Sequence, residues 1–374
     1  MTTNDSPLRR LASLGQSVWL DDLQRSMLED GTLARLIADD GLSGLTSNPA
    51  ILSKALTSGT EYAADIARLL AGSATGIAIY ETLALEDVQR AADLFRDVYD
   101  RSVGRDGYVS MEVSPHLADD TAATVAEARR LWGLLARPNV MIKVPGTRAG
   151  LPAIRALTAA GINVNVTLLF SPERCRQAEG EYLAGLEDRL AADLAIDRIA
   201  SVASFFVSRI DTLIDRRLDA LSAGGEAGAH ALRGRGAVAC AARAFELHGE
   251  SMNSGRWQAL AAHGAHPQRL LWASTSTKDP SYPPTKYVDE LIAPGTINTM
   301  PLATIDAYRR QGQPVLTLER HLAAASDTRK ALEALGIDLE QVAGELERDG
   351  VRKFVEPFES LQRWLEERRA QHRL

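Results

Sequence analysis

Eight times along the chain a short, mostly apolar run of four to six residues is followed by a longer stretch, and in such stretches apolar residues recur at three- and four-residue steps. Runs that short suit buried strands, and the longer stretches suit helices with one buried stripe. Their alternation is the pattern of βα units, which build a parallel sheet covered by helices. Strands are expected at 17–21 (SVWLD), 44–47 (GLTS), 108–112 (YVSME) and 140–144 (VMIKV), then at 162–167 (INVNVT), 199–204 (IASVAS), 270–274 (LLWAS) and 296–300 (TINTM). A helix is expected over 120–135, with Asp119 and Thr121 at positions suited to its N-cap.

Eight repeats favour a closed (β/α)₈ TIM barrel over an open doubly wound sheet, and the chain has neither a G-x-G-x-x-G nor a P-loop lysine motif. With 374 residues, 45% of them hydrophobic, it is long enough to bury a core that needs no disulfide or structural metal. Cys175 and Cys240 stand in unrelated contexts, without metal-ligand spacing, which fits a reducing compartment. No low-complexity linker divides the chain, so a single domain over 1–374 is expected, with the barrel at about 15–312 and a helical extension at about 316–374. Two elaborations stand out. Residues 222–267 interrupt the space between the sixth and seventh strands, and the tail ends in a pattern that puts Phe354, Phe358, Leu361 and Trp364 on one face of a docking helix.

The amino terminus lacks the apolar run of a signal peptide, and nothing approaches the ~18–20 apolar residues of a membrane helix. The net charge of −7, with dispersed basic residues, gives no footprint for nucleic acid. A cytoplasmic protein without membrane or nucleic-acid partners is expected.

In an α/β barrel the active site lies at the carboxyl ends of the strands. The polar residues ending otherwise apolar strands are therefore candidates: Asp21, Asn48, Glu112, Lys143, Asn165, Thr167 and Ser204. Lys143, inside MIKVPGT, is the most informative. Lysine is rarely buried unless it is used or paired, and burial disfavours an amine's charged form, as imine formation requires. The alternative is a lysine that reaches solvent or pairs with a carboxylate, with Glu112 as the obvious partner. Asp21 could instead cap the next helix, and Asn48 in TSNPA has the form of an N-cap before Pro49. Asn163, Asn165 and Thr167 share one face of their strand, against Ile162, Val164 and Val166 on the other, which suits either a site or a solvated edge. For phosphate, Ser204 and Arg209 in ASFFVSRID and Ser274 and Lys278 in WASTSTKD are suitably placed.

Together these segments resemble the transaldolase family, from about Ser17 to Asp306. GLTSNPAIL is similar to the family's first signature and VMIKVPGTRAGLPAI to its second, which carries a Schiff-base lysine. INVNVTLLFS and SVASFFVSRID are similar to its fifth- and sixth-strand segments, and the insertion and long tail resemble its longer bacterial-type subgroup. The resemblance implies a circularly permuted class I aldolase barrel with no metal and no organic cofactor. It implies that Lys143 forms the imine, Glu112 activates a water, and Asp21 carries the proton of carbon–carbon cleavage. Asn48 and Asn165 would hold substrate hydroxyls, Thr167 would position the water, and Ser204, Arg209, Ser274 and Lys278 would meet phosphate. Many transaldolases have an arginine where Ser276 stands here; Lys278, two residues on, would replace its bidentate fork with a point charge.

The implied activity moves a dihydroxyacetone unit from sedoheptulose 7-phosphate or fructose 6-phosphate to glyceraldehyde 3-phosphate or erythrose 4-phosphate. This is a step of the non-oxidative pentose phosphate pathway, carried out by a monomer or homodimer. Two alternatives stay open. One is a direct fructose 6-phosphate aldolase, a group that often carries Gln at the place of Glu112 and Tyr near that of Phe206; the other is a barrel that binds sugar phosphates without catalysis.

Overall fold

The computed structural model describes residues 6–58 and 60–372, so the first five residues of the amino-terminal stretch and the last two of the tail lie outside the described residues. Eight parallel strands close into a barrel: β1 (Ser17–Asp21), β2 (Gly44–Thr46), β3 (Tyr108–Glu112), β4 (Val140–Pro145), β5 (Val164–Leu169), β6 (Ser201–Phe206), β7 (Gln268–Ala273) and β8 (Ile297–Met300). Neighbours in the chain are neighbours in the sheet, and β8 returns to β1. This is the (β/α)₈ TIM barrel expected from the alternation of runs.

β1 and β3 keep the bounds read from the sequence, whereas β5 and β6 begin two residues later. At the start of β5, Asn163 ties three segments with its side chain, donating to the carbonyls of Pro138 (3.0 Å) and Val140 (3.1 Å) and accepting from Ala200 N–H (2.9 Å). The polar face of that strand therefore points into the closed barrel, not to a solvated edge. In the helix Thr121–Leu135 the N-cap is Asp120, whose side chain accepts from Ala123 N–H, while Thr121 donates to the carbonyl of Ala149. The cap thus sits between the two residues expected to supply it.

Buried polar groups crowd the amino-terminal end of the barrel. Arg269 donates to the carbonyls of Gly295, Arg105 and Thr296, to Ser17 Oγ and to Asp106 Oδ1. Trp19 Nε1 donates to the same carboxylate at 3.0 Å. Gly44 makes room for that indole, because a Cβ there would lie 2.3 Å from it.

The 222–267 segment forms the helices Gly236–Met252 and Gly255–Ala261, and the helix Leu318–Ala334 packs on the first of them. The terminal helix, Leu339–His372, crosses the carboxyl ends of the strands. Its apolar face is the one the sequence suggested: Phe354, Phe358 and Leu361 are buried and Trp364 partly so, with Phe358 packed edge-to-face on Tyr80 at 5.3 Å. Gly350 lets the helix approach the barrel, since a Cβ there would meet Leu168 at 2.9 Å. Among the described residues no helix is long and apolar enough to cross a membrane.

Candidate active site

The register of three adjacent strands sets Glu112, Lys143 and Asn165 in one row across β3, β4 and β5. Every residue of β4 is buried, and the alternation of strand side chains turns Lys143 inward while Ile142 and Val144 face the helices. The amine is 4% exposed; it donates to the Ser47 carbonyl at 3.1 Å and lies 3.6 Å from Glu112 Oε2, an ion-pair distance too long for a hydrogen bond. Neither Glu112 oxygen has a hydrogen-bond partner among the described residues, nor does the buried Thr167 hydroxyl. Burial pushes the Glu112 carboxyl up to about 7, against the pull of Lys143 and with a further push from Asp21. A carboxyl in that range can both give and take a proton near neutrality.

Asp21 sits at the end of β1, where Thr46 Oγ1 donates to its Oδ1 at 2.8 Å and lies equally close to Thr299 Oγ1. Burial raises its pKa above the usual carboxylate range, opposed in turn by Lys143, the Thr46 hydrogen bond, Arg209 and Lys278. Asn48 does cap the helix Pro49–Ser58, accepting from Ile51 N–H at 3.0 Å. Asn48 also lines the cavity over Lys143, so capping and binding are compatible.

A cavity of about 180 Å³ opens over Lys143. Asp21, Asn48, Lys143, Ser204, Arg209, Ser274 and Lys278 all line it, brought together from five strands and the loops and helix that follow them. Glu112, Asn165 and Thr167 do not line it. Asn165 is buried behind Ser204, accepting from its hydroxyl at 2.7 Å and donating to Ser110 Oγ at 3.0 Å. Ser274 holds a φ of +55°, sparsely populated by residues other than glycine, and its hydroxyl is 3.0 Å from that of Ser208. Arg209 stacks over Phe206 at 5.3 Å with a buried nitrogen, Nη1, that lacks a hydrogen-bond partner among the described residues. Desolvation lowers its pKa, opposed by Asp349 and Asp21. Lys278 is lowered by desolvation and then by Arg209, with Asp21 opposing. Two cations and a serine thus line the same cavity as a buried amine and a carboxylate. Among the described residues no group of three or more His, Cys, Asp or Glu side chains could hold a metal ion.

The chain's relatives bear on this arrangement. A sequence model of the family described as Transaldolase/Fructose-6-phosphate aldolase matches residues 18–365. A transaldolase from Saccharopolyspora erythraea is 48% identical over 96% of this chain and 97% of its own. One from Thermobifida fusca is 48% identical over 95% and 96%, and transaldolase 1 of Streptomyces coelicolor is 49% identical over 96% and 94%. The chain belongs to the transaldolase/fructose-6-phosphate aldolase family.

Set on a barrel of this family, the terminal helix becomes part of the site. Phe354 lines the cavity, with its ring centre 5.9 Å from Lys143 Nζ. Sequence periodicity marked Phe354 as a packing residue and gave no sign that its neighbour would be the amine. Thr46, Thr299, Ser276 and Phe206 also line the cavity and were not among the expected site residues. Thr46 ends the short strand β2 after Leu45, which is the signal that would have found it, whereas Thr299 lies inside β8 between Asn298 and Met300 and gave no such signal. A wider cleft of about 820 Å³ adjoins the cavity through Arg209 and Lys278. Arg216, Arg348, Arg352 and Lys353 add positive charge to its walls, against Glu345 and Asp349.

Proposed function

We propose that this member of the family is a transaldolase, which moves a dihydroxyacetone unit between sugar phosphates through an imine on Lys143. The observation that carries the reading is a buried amine, 3.6 Å from a carboxyl pushed up to about 7, under a cavity walled by Asp21 and two cations. Its relatives' shared name, over nearly their whole length, supports the same activity.

The Lys143 amine attacks the ketone carbon of fructose 6-phosphate or sedoheptulose 7-phosphate. Glu112, through a water held by Thr167, gives the proton on which the carbinol oxygen leaves as water, and an iminium remains. Asp21 takes the proton from the hydroxyl two carbons away. The carbon–carbon bond breaks, its electron pair runs to the iminium nitrogen as an enamine, and an aldose phosphate departs. A second aldose phosphate is attacked by the enamine, Asp21 returns the proton to the new alkoxide, and water hydrolyses the imine. The covalent intermediate divides one difficult transfer into two easier halves.

Asn48 contacts substrate hydroxyls, and Ser204, expected to meet phosphate, joins it instead because its hydroxyl is tied to Asn165, which lies behind it outside the cavity and orients it. Arg209, Ser274 and Lys278 hold the phosphate, and the cationic cleft beside them draws anionic substrates inward. The transfer belongs to the non-oxidative pentose phosphate pathway. Two buried free cysteines and a metabolic family support a cytoplasmic enzyme whose barrel and terminal helices act as one domain.

Borohydride reduction with fructose 6-phosphate present, followed by peptide mass analysis, tests this directly. A reduced three-carbon adduct on Lys143 is expected, and erythrose 4-phosphate added before the reductant should discharge it. A folded enzyme that forms no adduct would refute the imine. An adduct that erythrose 4-phosphate leaves in place would point to direct cleavage instead.

A further inference from the structure

The loop that carries Ser274, Ser276 and Lys278 has no strand or helix of its own between the end of β7 and the helix Lys286–Asp289. Something else must hold Lys278 opposite Arg209, because an unsupported loop samples many conformations and a misplaced charge binds weakly. Two buried carboxylates outside the cavity supply that support. Asp211 and Asp215 lie one turn apart on the helix Ser208–Ala223, whose second residue is Arg209, and they are only 1% and 5% exposed.

Each carboxylate is shared in the same way. One oxygen of Asp215 accepts from the backbone N–H of Gly234 at 2.9 Å, and the other accepts from Tyr282 Oη at 2.6 Å. One oxygen of Asp211 accepts from Ala237 N–H at 2.7 Å, and the other accepts from Tyr287 Oη at 2.8 Å. Both pairs therefore join the same three segments: the helix bearing Arg209, the insertion between β6 and β7, and the stretch that follows Lys278. A third tie repeats the pattern, since Arg233 of the insertion donates to Asp279, next to Lys278, at 2.6 Å. Gly234 is needed for the fit: its φ is +69°, and a Cβ there would lie 2.9 Å from the Tyr282 ring. Two like charges buried a turn apart weaken a helix and its core unless their bonds accomplish something.

We infer that Asp211, Asp215, Tyr282 and Tyr287 are positioning residues: a splint, with the insertion as its third leg, that holds Arg209 and Lys278 around one phosphate. The inference rests on the proposed phosphate role of those two cations. It assigns the 222–267 insertion a task in substrate recognition, although Lys143 and Asp21 lie on other strands.

The test uses Tyr282→Phe, which keeps the ring and removes the hydroxyl, in the full-length enzyme. Three readings are taken: KM and kcat with fructose 6-phosphate, inhibition by inorganic phosphate, and borohydride trapping of dihydroxyacetone, which has no phosphate. A splint predicts that KM and the phosphate inhibition constant both rise about tenfold, the size expected when a charged contact is displaced by a fraction of an ångström. kcat and dihydroxyacetone trapping should stay within about twofold, because the amine is untouched. Tyr287→Phe should act in the same direction, and the double variant should show less than the product of the two single effects. Arg209→Gln is the control for the underlying reading. If it weakens phosphate inhibition while Tyr282→Phe and Tyr287→Phe do not, the splint is wrong and the phosphate site stands. If Arg209→Gln leaves phosphate inhibition unchanged, the phosphate reading itself fails. Equal losses of trapping, kcat and melting temperature in both tyrosine variants would mark the bonds as ordinary structural ones and overturn the proposal.

Discussion

At the amino-terminal end of the barrel the Arg269 guanidinium places all five N–H groups on protein oxygens, and Asp106 beneath it also accepts from Trp19. At the carboxyl end Glu112, the Thr167 hydroxyl and Arg209 Nη1 are also enclosed, yet have buried polar atoms without a hydrogen-bond partner among the described residues. An unmet buried polar group costs about 1–3 kcal/mol, a cost that a substrate or water entering the site would relieve. Both ends bury charge. The difference lies in the charged groups that the two ends hold: Arg269 is saturated by protein oxygens, whereas Glu112 and Arg209 are not, although the neutral amides of Gln16 and Asn139 at the amino-terminal end also keep an oxygen without a partner among the described residues.

The contrast breaks most visibly if the two ends respond alike to losing their cation. Lys143→Arg should lower transfer by about three orders of magnitude or more, with the melting temperature within a few degrees of the parent. Arg269→Met should instead cost about 3–5 kcal/mol in urea unfolding, because the part-buried Asp106 loses its only cation among the described residues and three carbonyls lose a donor, while kcat per folded molecule changes little. Activity lost at Arg269 without loss of stability would end the distinction.

Within the carboxyl end, Asp21→Asn should slow cleavage by about 10²–10⁴-fold, the usual worth of a positioned proton carrier. Trapping of dihydroxyacetone on Lys143 should persist in the same variant. Equal losses in both assays would make Asp21 a binding or packing group.

A smaller effect sharpens the comparison through pH. Glu112 has its carboxyl raised from 4.5 to about 7 in the folded state, so folding favours its protonated form. That contribution is present below pH 4.5 and is lost as pH rises through about 7, amounting to on the order of 3 kcal/mol. Stability measured by urea unfolding at pH 5 and pH 8 should fall more in the parent than in Glu112→Gln. Asp211, pushed up to about 6 by burial, slopes the same way in both proteins and cancels in the difference. A parallel pair of curves would mean that Glu112 is ionised throughout.

The smallest effect concerns the roof. Phe354→Leu removes the ring 5.9 Å from the amine, and a contact of that kind is worth about 0.5–1 kcal/mol, or twofold to fivefold in kcat/KM. No change at all would leave the terminal helix a cover with no electrostatic part in the site.

Much of this was legible in the residues. Lys143 stood out because a charged side chain inside VMIKV contradicts its surroundings, and Asn163, Asn165 and Thr167 stood out because three polar residues shared one strand face. Their separate fates were not legible. Asn163 stitches strands at the barrel's base, Asn165 is occupied by Ser110 and Ser204, and Thr167 alone of the three has a side-chain oxygen without a partner among the described residues. The carboxylates Asp211 and Asp215 gave no signal at all, since in ASFFVSRIDTLID they read as the polar face of an ordinary helix.

Strand and helix alternation, and the facing of each side chain across a strand, were determined by the sequence itself, because both are periods of the local backbone. The tertiary structure decided which polar atoms would be satisfied. That depends on atoms distant in the chain: Phe354 beside Lys143, Tyr282 on Asp215, Asp106 under Arg269. Barrel closure and strand register set those meetings, and desolvation at each one decides whether a charge is a brace or a reagent.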